Sequence, residues 1–432
     1  ARVSPIPSSA NSDPTGSTSL TDKMAPYSLS MRWILLACAL AATSASALRA
    51  GASRVAPRAA ARARIALGSA NALAGLVLAP RREAGFDDKV IGSACVRRFV
   101  NDDGEQWLMW YSARGRDFDP DVLSIATGRI GLATSTDGVS WTREGAVLSE
   151  NRDEWFFFDT AHVGVGDVQV MSSQSQRTGG VAMYWCYYFG GDLARTAETA
   201  PKGASMSIGL AMSSNGRNWG RVEGEHANGA ILTPSDDPAA FDAAFVGWPQ
   251  VVMRRPEDYV LYYHTIVART GNYVVAAARG TDGVKFNKVG PILSAGPPGS
   301  FDERGAGARH VIEVKQQDGV RQPRFLMAYE AIDGAGTHSI GLARSDDGLA
   351  WTKSGDGPIF APSAAQGAWD GGAVGRPNLV PLDGGRYRLF YYGQSGKGAA
   401  SEQEWSGIGV AECDGTDWSA WTRVGSTHDA RA

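Results

Sequence analysis

The chain has 432 residues, 43% of them hydrophobic, enough to bury a large core in one all-β domain or two smaller ones. Ten of its 42 Lys and Arg residues, but only Asp13 and Asp22 of its 45 acids, precede Glu83, so the remainder carries 32 basic against 43 acidic residues. An acidic body without a basic stripe repels phosphate backbones and argues against nucleic acid as a partner, and four scattered cysteines without a CxxC pair argue against a disulfide framework or a zinc site.

Residues 1–23 are rich in Ser, Pro and Thr and read as disordered or as an upstream extension. From Met31, MRWILLACALAATSASA has Arg32, a short apolar run and the small triplet Ala45-Ser46-Ala47, the build of a secretory signal peptide cleaved before Leu48. LRAGASRVAPRAAARAR follows, and no acid occurs between Met24 and Arg82, the composition of a transit peptide. Residues 1–73 are therefore expected to be a disordered leader resembling the bipartite addresses that send proteins to plastids, with simple secretion as the alternative. The apolar run is too short and Ala-rich for a membrane span, so none is expected in the mature protein.

Beyond the leader the chain repeats. An aromatic-Asp pair recurs at Phe86-Asp87, Phe158-Asp159, Phe241-Asp242, Phe301-Asp302 and Trp369-Asp370, and each Asp is followed five residues later by Gly. Those glycines open strand-like runs: GSACV, GVGDV, GWPQV, GARHV and GRPNL. Aromatic, β-favouring second strands follow (WLMWYS, YWCYYF, YVLYYH, RFLMAYE, YRLFYYG), and then two strands flanking an Asp-Gly or Asn-Gly type of hairpin, as in IGLATSTDGVSWT from Ile130. Five copies of a four-stranded meander, each needing neighbours on both faces, predict an all-β, five-bladed β-propeller of antiparallel blades over 74–427, with 428–432 as a tail. Blades end in motifs such as Ile359-Phe360-Ala361-Pro362; Val77-Leu78-Ala79-Pro80 matches that ending with no blade before it, so the N-terminal segment is expected to close the ring.

Up-and-down strands put the start of strand one and the end of strand two on one face and the hairpins on the other. The repeated turns and the five aspartates recur in every blade, so both read as structural. Chemistry is expected from residues that break the fivefold pattern: Ser93, Asp167, Trp248, Arg309, His310, Arg376 and Asn378 on strand one, with Asp88, Arg114, His264, Glu330 and Lys397 near the same mouth. Each has a plainer reading. Arg309 and Arg376 could only neutralise carboxylates, Trp248 could plug the channel, and His264 and His310 could be satisfied structural histidines.

The blade count, IGLATSTDGVSWT and IFAPSAAQGAWDGGAVG resemble the superfamily of arabinanases, invertases and levansucrases, including family 43 and family 130 glycoside enzymes, over about residues 74 to 427. The resemblance implies carbohydrate recognition in a central pocket, often with a carboxylate trio. Gly164-Val165-Gly166-Asp167-Val168-Gln169-Val170 resembles a family 130 run that would place Asp167 on an acid position, whereas Ser93 and Trp248 stand where family 43 carries acids. The resemblance also admits a small ion near His310, but no ligand cluster supports one, and no metal or cofactor is expected.

The leading expectation is a glycoside hydrolase or phosphorylase, monomeric, acting on an oligo- or polysaccharide, with Asp167, Glu330 and Asp88 catalytic and Trp248, Arg309, Arg376, Arg114 and His264 binding substrate. The competing expectation is a noncatalytic propeller that binds glycan or protein; a sialidase-like enzyme is a distant third.

Overall fold

A computed structural model describes residues 70–172, 182–314, 323–396 and 406–425. Almost all of the expected leader, the tail and Lys397 lie outside the described residues. The architecture is all-β. After a short 3-10 turn at Ala70–Leu73 comes β1 (Leu76–Leu78). Then follow β2 (Val90–Asn101), β3 (Gly104–Arg114), β4 (Arg129–Ser135) and β5 (Thr142–Leu148); β6 (His162–Ser172), β7 (Ala182–Gly191), β8 (Met206–Ser213) and β9 (Gly220–Val222); and β10 (Gly247–Arg255), β11 (Asp258–Val267), β12 (Asn272–Gly280) and β13 (Asn287–Leu293). The last two groups are β14 (Gly305–Glu313), β15 (Phe325–Ile332), β16 (His338–Ser345) and β17 (Thr352–Ser354), and β18 (Ala373–Pro381), β19 (Tyr387–Gln394), β20 (Ser406–Cys413) and β21 (Thr422–Arg423).

Each group pairs in order as an antiparallel meander, and a single parallel pair, Tyr273 with Gly305, links the third to the fourth. β1 and β21 both pair with β20, so the outer position of the last meander is shared by the start and the end of the described chain. Leu78 faces Ile408 there, just as Leu232 faces Ile208 and Phe360 faces Ile340 in other meanders.

Burial follows from this stacking. Trp107 to Arg114 of β3 are buried without alternation, because both faces of a second strand are covered, whereas the outer strand β5 alternates between exposed and half-buried residues. Apolar clusters fill the space between successive meanders, such as Cys95, Trp110, Val165 and Tyr188 between the first and second. Another packs Val380, Phe390 and Val410 of the last meander, with Val77 and Leu78, against Ile91, Trp107 and Met109 of the first.

The repeated aspartates hold each meander together. Asp87, Asp159, Asp242, Asp302 and Asp370 accept hydrogen bonds from the hydroxyls of Tyr111, Tyr188, Tyr263, Tyr329 and Tyr391 on the second strands at 2.8–3.1 Å. The same carboxylates pair with Arg143, Arg221, Lys288, Lys353 and Arg423 on the outer strands. One carboxylate thus ties two strands to the connection that enters the sheet, and hydrogen bonds to a charged group are the stronger kind, about 1.5–3 kcal/mol. The hairpin turns are also structural: Asp137 Oδ1 caps the backbone N–H groups of Val139 and Ser140, and Trp110 reaches across to donate to the Gly216 carbonyl of the next meander's turn.

A second fivefold device runs through the first strands. The fourth residue of each Gly-led run accepts a hydrogen bond from the backbone N–H of the next meander: Cys95 from Val168 (3.2 Å), Asp167 from Val251 (3.2 Å), Gln250 from Val311 (2.7 Å), His310 from Leu379 (3.2 Å) and Asn378 from Val96 (3.1 Å). The last bond brings the chain of contacts back to the first meander.

Candidate active site

In every meander the register between first and second strand slips, between Ile91 and Ala94, Val165 and Asp167, Gly247 and Gln250, Ala306 and Arg309, and Gly375 and Asn378. Such bulges bend a strand and re-aim its side chains. Two of them hold non-glycine residues in the left-handed region, Trp248 (φ 49°) and Arg376 (φ 48°), at the same position of the repeat and each before a proline. That conformation costs about 1–3 kcal/mol per residue and tends to persist where function needs it. Among the described residues only Glu257, in the turn between β10 and β11, is a further non-glycine case.

Both strained side chains line one cavity of about 180 Å³ at the end of the sheets opposite the hairpin turns. Its wall is largely apolar, with Phe245, Ile266 and Ile332 among the lining residues, and its charged or titratable groups are His264, Tyr273, Arg304, Glu330, His338 and Arg376. Trp248 is one of the lining residues. Its Nε1 donates to Ser93 Oγ at 3.1 Å, and the rings of Phe189 and His264 pack on it with centroids 4.3 and 4.6 Å away. The indole of β10 thus reaches from the third meander to β2 of the first.

Glu330 is the one carboxylate on the wall. Burial pushes its pKa up, but the hydrogen bond and charge of His338, with Arg376 and His264, outweigh it and hold the group down at about 2. One oxygen meets His338 Nδ1 at 2.5 Å and the other accepts the Arg376 backbone N–H at 3.2 Å. An ionised carboxylate only accepts, so Nδ1 of His338 donates and Nε2 is the nitrogen left to a ligand. Gly375 makes the approach feasible: a Cβ there would sit 2.6 Å from Glu330 Cδ.

His264 lies neutral against Trp248: burial, aided by the Arg309 and Arg376 charges and opposed by Glu330, lowers its pKa to about 3. The Arg376 guanidinium stacks over Tyr392 at 4.4 Å and over Trp248 at 5.6 Å, and its buried Nη1 has no protein partner.

Trp248, His264, Glu330 and Arg376 therefore converge. The structure sets the other expected residues elsewhere. Asp167 is buried in the belt of first-strand contacts, where it accepts from Val251 N–H, Gln169 Nε2 and Arg97 Nη2. Asp88 is buried against Arg116, accepting its backbone N–H at 2.7 Å and its guanidinium at 3.1 Å. Arg114 donates to the carbonyls of Thr127, Val122 and Leu123 and so holds the loop whose Leu123 and Ile125 form part of the cavity wall. Arg309 is buried beneath, donating to the Tyr262 carbonyl, and burial lowers its pKa to about 9 despite Asp167 and Tyr262.

His338 and Arg304 were not among the expected residues. A signal for His338 exists: it stands two residues before Ile340, where the other copies carry Gly128, Met206, Tyr273 and Ser406. Among the described residues no group of three His, Cys, Asp or Glu side chains could hold a metal ion, and no helix is long and apolar enough to cross a membrane.

Solved structures share this architecture. One is from work describing family 130 mannoside phosphorylases that include hydrolases of β-1,2-mannosidic linkages in Candida mannan (TM-score 0.53, 15% identity, 78% of this chain and 91% of that one). Another is a glycosyl hydrolase from Bacteroides ovatus (TM-score 0.53, 15% identity, covering 78% and 94%). The chain shares the all-β fold of these structures. A third structure with this fold, an N-acetylgalactosamine deacetylase from F. plautii in complex with blood group B trisaccharide, aligns with TM-score 0.53 and 16% identity over 80% of this chain and 98% of that one. No protein-family model matches the chain, and no curated protein sequence matches it.

Proposed function

We propose that this propeller is a carbohydrate-active enzyme, a glycoside hydrolase or phosphorylase whose acid–base centre is the Glu330–His338 pair. Its frame on this reading is a closed ring of five blades, supported by the Asn378–Val96 hydrogen bond, the apolar cluster shared by the last and first meanders, and β1 on the outer edge of the last. The observation that carries the function is an ionised Glu330 holding His338 Nδ1 in a cavity at the mouth of the ring. Cleaving a glycosidic bond needs a proton for the departing oxygen as the anomeric carbon gains positive charge. With Nδ1–H fixed on Glu330, the Nε2 of His338 would be the atom that passes a proton to that oxygen. Water or phosphate would then take the leaving group's place, and Arg376 would orient sugar hydroxyls.

The test is turnover of a panel of aryl-glycosides and oligosaccharides with and without phosphate, by wild-type protein and by Glu330→Gln. Loss of at least about 100-fold in kcat in a variant that remains folded at the assay temperature supports the reading; equal rates in both proteins overturn it. A noncatalytic glycan-binding propeller is the second reading. It is favoured by one observation, that Asp167 and Asp88 are tied up away from the cavity and leave Glu330 as the only lining carboxylate.

A further inference from the structure

The cavity's charge does not match that of the molecule around it. After residue 82 the chain carries 32 basic against 43 acidic residues, yet the cavity wall holds Arg304 and Arg376 against Glu330 alone. Glu330 is already engaged on both oxygens, by His338 Nδ1 and the Arg376 backbone N–H. Neither arginine side chain forms an ion pair among the described residues. Arg376 Nη1 is buried with no hydrogen-bond partner, and its guanidinium is held in place by the rings of Tyr392 and Trp248 and by a strained backbone. A buried donor left unpaired costs about 1–3 kcal/mol, so a guanidinium with an unpaired nitrogen beside the cavity favours an acceptor bound there. Two guanidinium groups in a largely apolar cleft focus positive potential there and present forks that match the two oxygens of a planar carboxylate.

Building on the proposal that the cavity takes carbohydrate, we propose that its ligand is an acidic glycan, one whose bound sugar carries an oxyanion that Arg376 and Arg304 receive. A uronate carboxylate and a sulfate ester share that chemistry. In either case the anion pairs with the guanidinium groups of Arg376 and Arg304, and the sugar ring packs against the apolar wall beside His338. Binding of this kind moves no atoms between molecules, so it is separable from cleavage.

The experiment is calorimetric titration of the full chain with matched oligosaccharides of one backbone in neutral, uronate and sulfated forms, repeated in raised salt and with Arg304→Gln and Arg376→Gln. The expected result is an acidic form bound at least about tenfold more tightly than its neutral counterpart, the size of one charge-assisted hydrogen bond. Salt should erode that preference, because it screens the exposed part of the attraction, and either variant should reduce it; Arg304→Gln should leave the weaker neutral binding in place, whereas Arg376→Gln, which also removes a donor to sugar hydroxyls, should weaken both forms and the acidic one more. The uronate and sulfate arms identify which oxyanion is carried. Equal binding of neutral and acidic forms overturns this inference and leaves the proposed function standing. So does turnover of a neutral oligosaccharide that requires inorganic phosphate and fails in Arg304→Gln and Arg376→Gln, since it would assign the arginines to phosphate. Failure of every glycan to bind, with the protein folded, overturns both.

Discussion

Glu330 keeps its charge in a place where burial alone would neutralise it, because His338 and Arg376 both favour the ionised form. Its folded pKa of about 2 lies below the ordinary 4.5, so its contribution to stability is present above about pH 4.5 and lost as pH falls toward 2. Urea unfolding of wild-type and Glu330→Gln protein should show a stability difference that shrinks through that range. Histidines act at higher pH. His162, His264 and His310 are buried, which lowers their pKa values to about 4, 3 and 3, so the folded state keeps them neutral while the unfolded chain protonates below about 6.5. Stability is then complete above pH 6.5 and should fall by about 1.4 kcal/mol per histidine per pH unit below it, read by unfolding at pH 7.5 and 5.5. Asp167 makes the opposite contrast to Glu330. Asn378 fills the equivalent belt position, so Asp167→Asn keeps an acceptor for Val251 but strips Arg97 of its counter-charge. A loss of about 3 kcal/mol in stability, with kcat retained in the folded fraction, is the expected outcome. The sequence reading had placed Asp167 in the chemistry because it breaks the repeat as an acid. What it could not see is which way the fourth residue of each run points. Cys95, Gln250, His310 and Asn378 show that it points at the next meander whatever its chemistry.

At the scale of strands, the Asp–Tyr–base clasp predicts nearly interchangeable costs in every meander. Tyr263→Phe removes one hydrogen bond to Asp242 and should cost about 1–2 kcal/mol, whereas Asp242→Ala leaves both Tyr263 and Lys288 without their acceptor and should cost more, each measured by chemical unfolding. Strands and hairpins were legible from sequence because the repeat states each signal five times: the aromatic-Asp pair, the Gly-led first strand, the aromatic second strand and the Asp-Gly turn all fall where the structure has them. Trp248 was legible only as an alternative, sugar platform or plug; the fold adds that its indole bonds Ser93 while its side chain lines the cavity. The Glu330–His338 pair was half visible. Glu330 stood out at the end of a second strand, but its partner is placed by cross-strand register, Ile332 facing His338 and Glu330 facing Ile340, which a one-dimensional pattern does not contain. Arg114 could be read as a mouth residue but not as the brace of the 122–127 loop, since the carbonyls it holds are fixed only in the fold.

For the molecule as a whole, β1 ties the beginning of the described chain to its end. Leu76 packs in the cluster between the fourth and last meanders while Val77 and Leu78 pack in the one between the last and the first. If this strand closes a ring, Leu76→Ala and Leu78→Ala should each cost about 2–5 kcal/mol, as for core leucines elsewhere, and a thermal melt of each variant checks it. If β1 were a peripheral decoration, the two melts would match wild type. Such a closed ring would give the cavity a rigid rim and let the strain at Trp248 and Arg376 be held without the site relaxing. The central claim is that this rim serves carbohydrate chemistry centred on Glu330 and His338. Oligosaccharide turnover by wild-type protein beside Glu330→Gln, each with its melting temperature recorded, tests it most directly. The account predicts a glycan that wild type cleaves and the folded variant does not; a folded variant that cleaves it as fast as wild type would contradict the account.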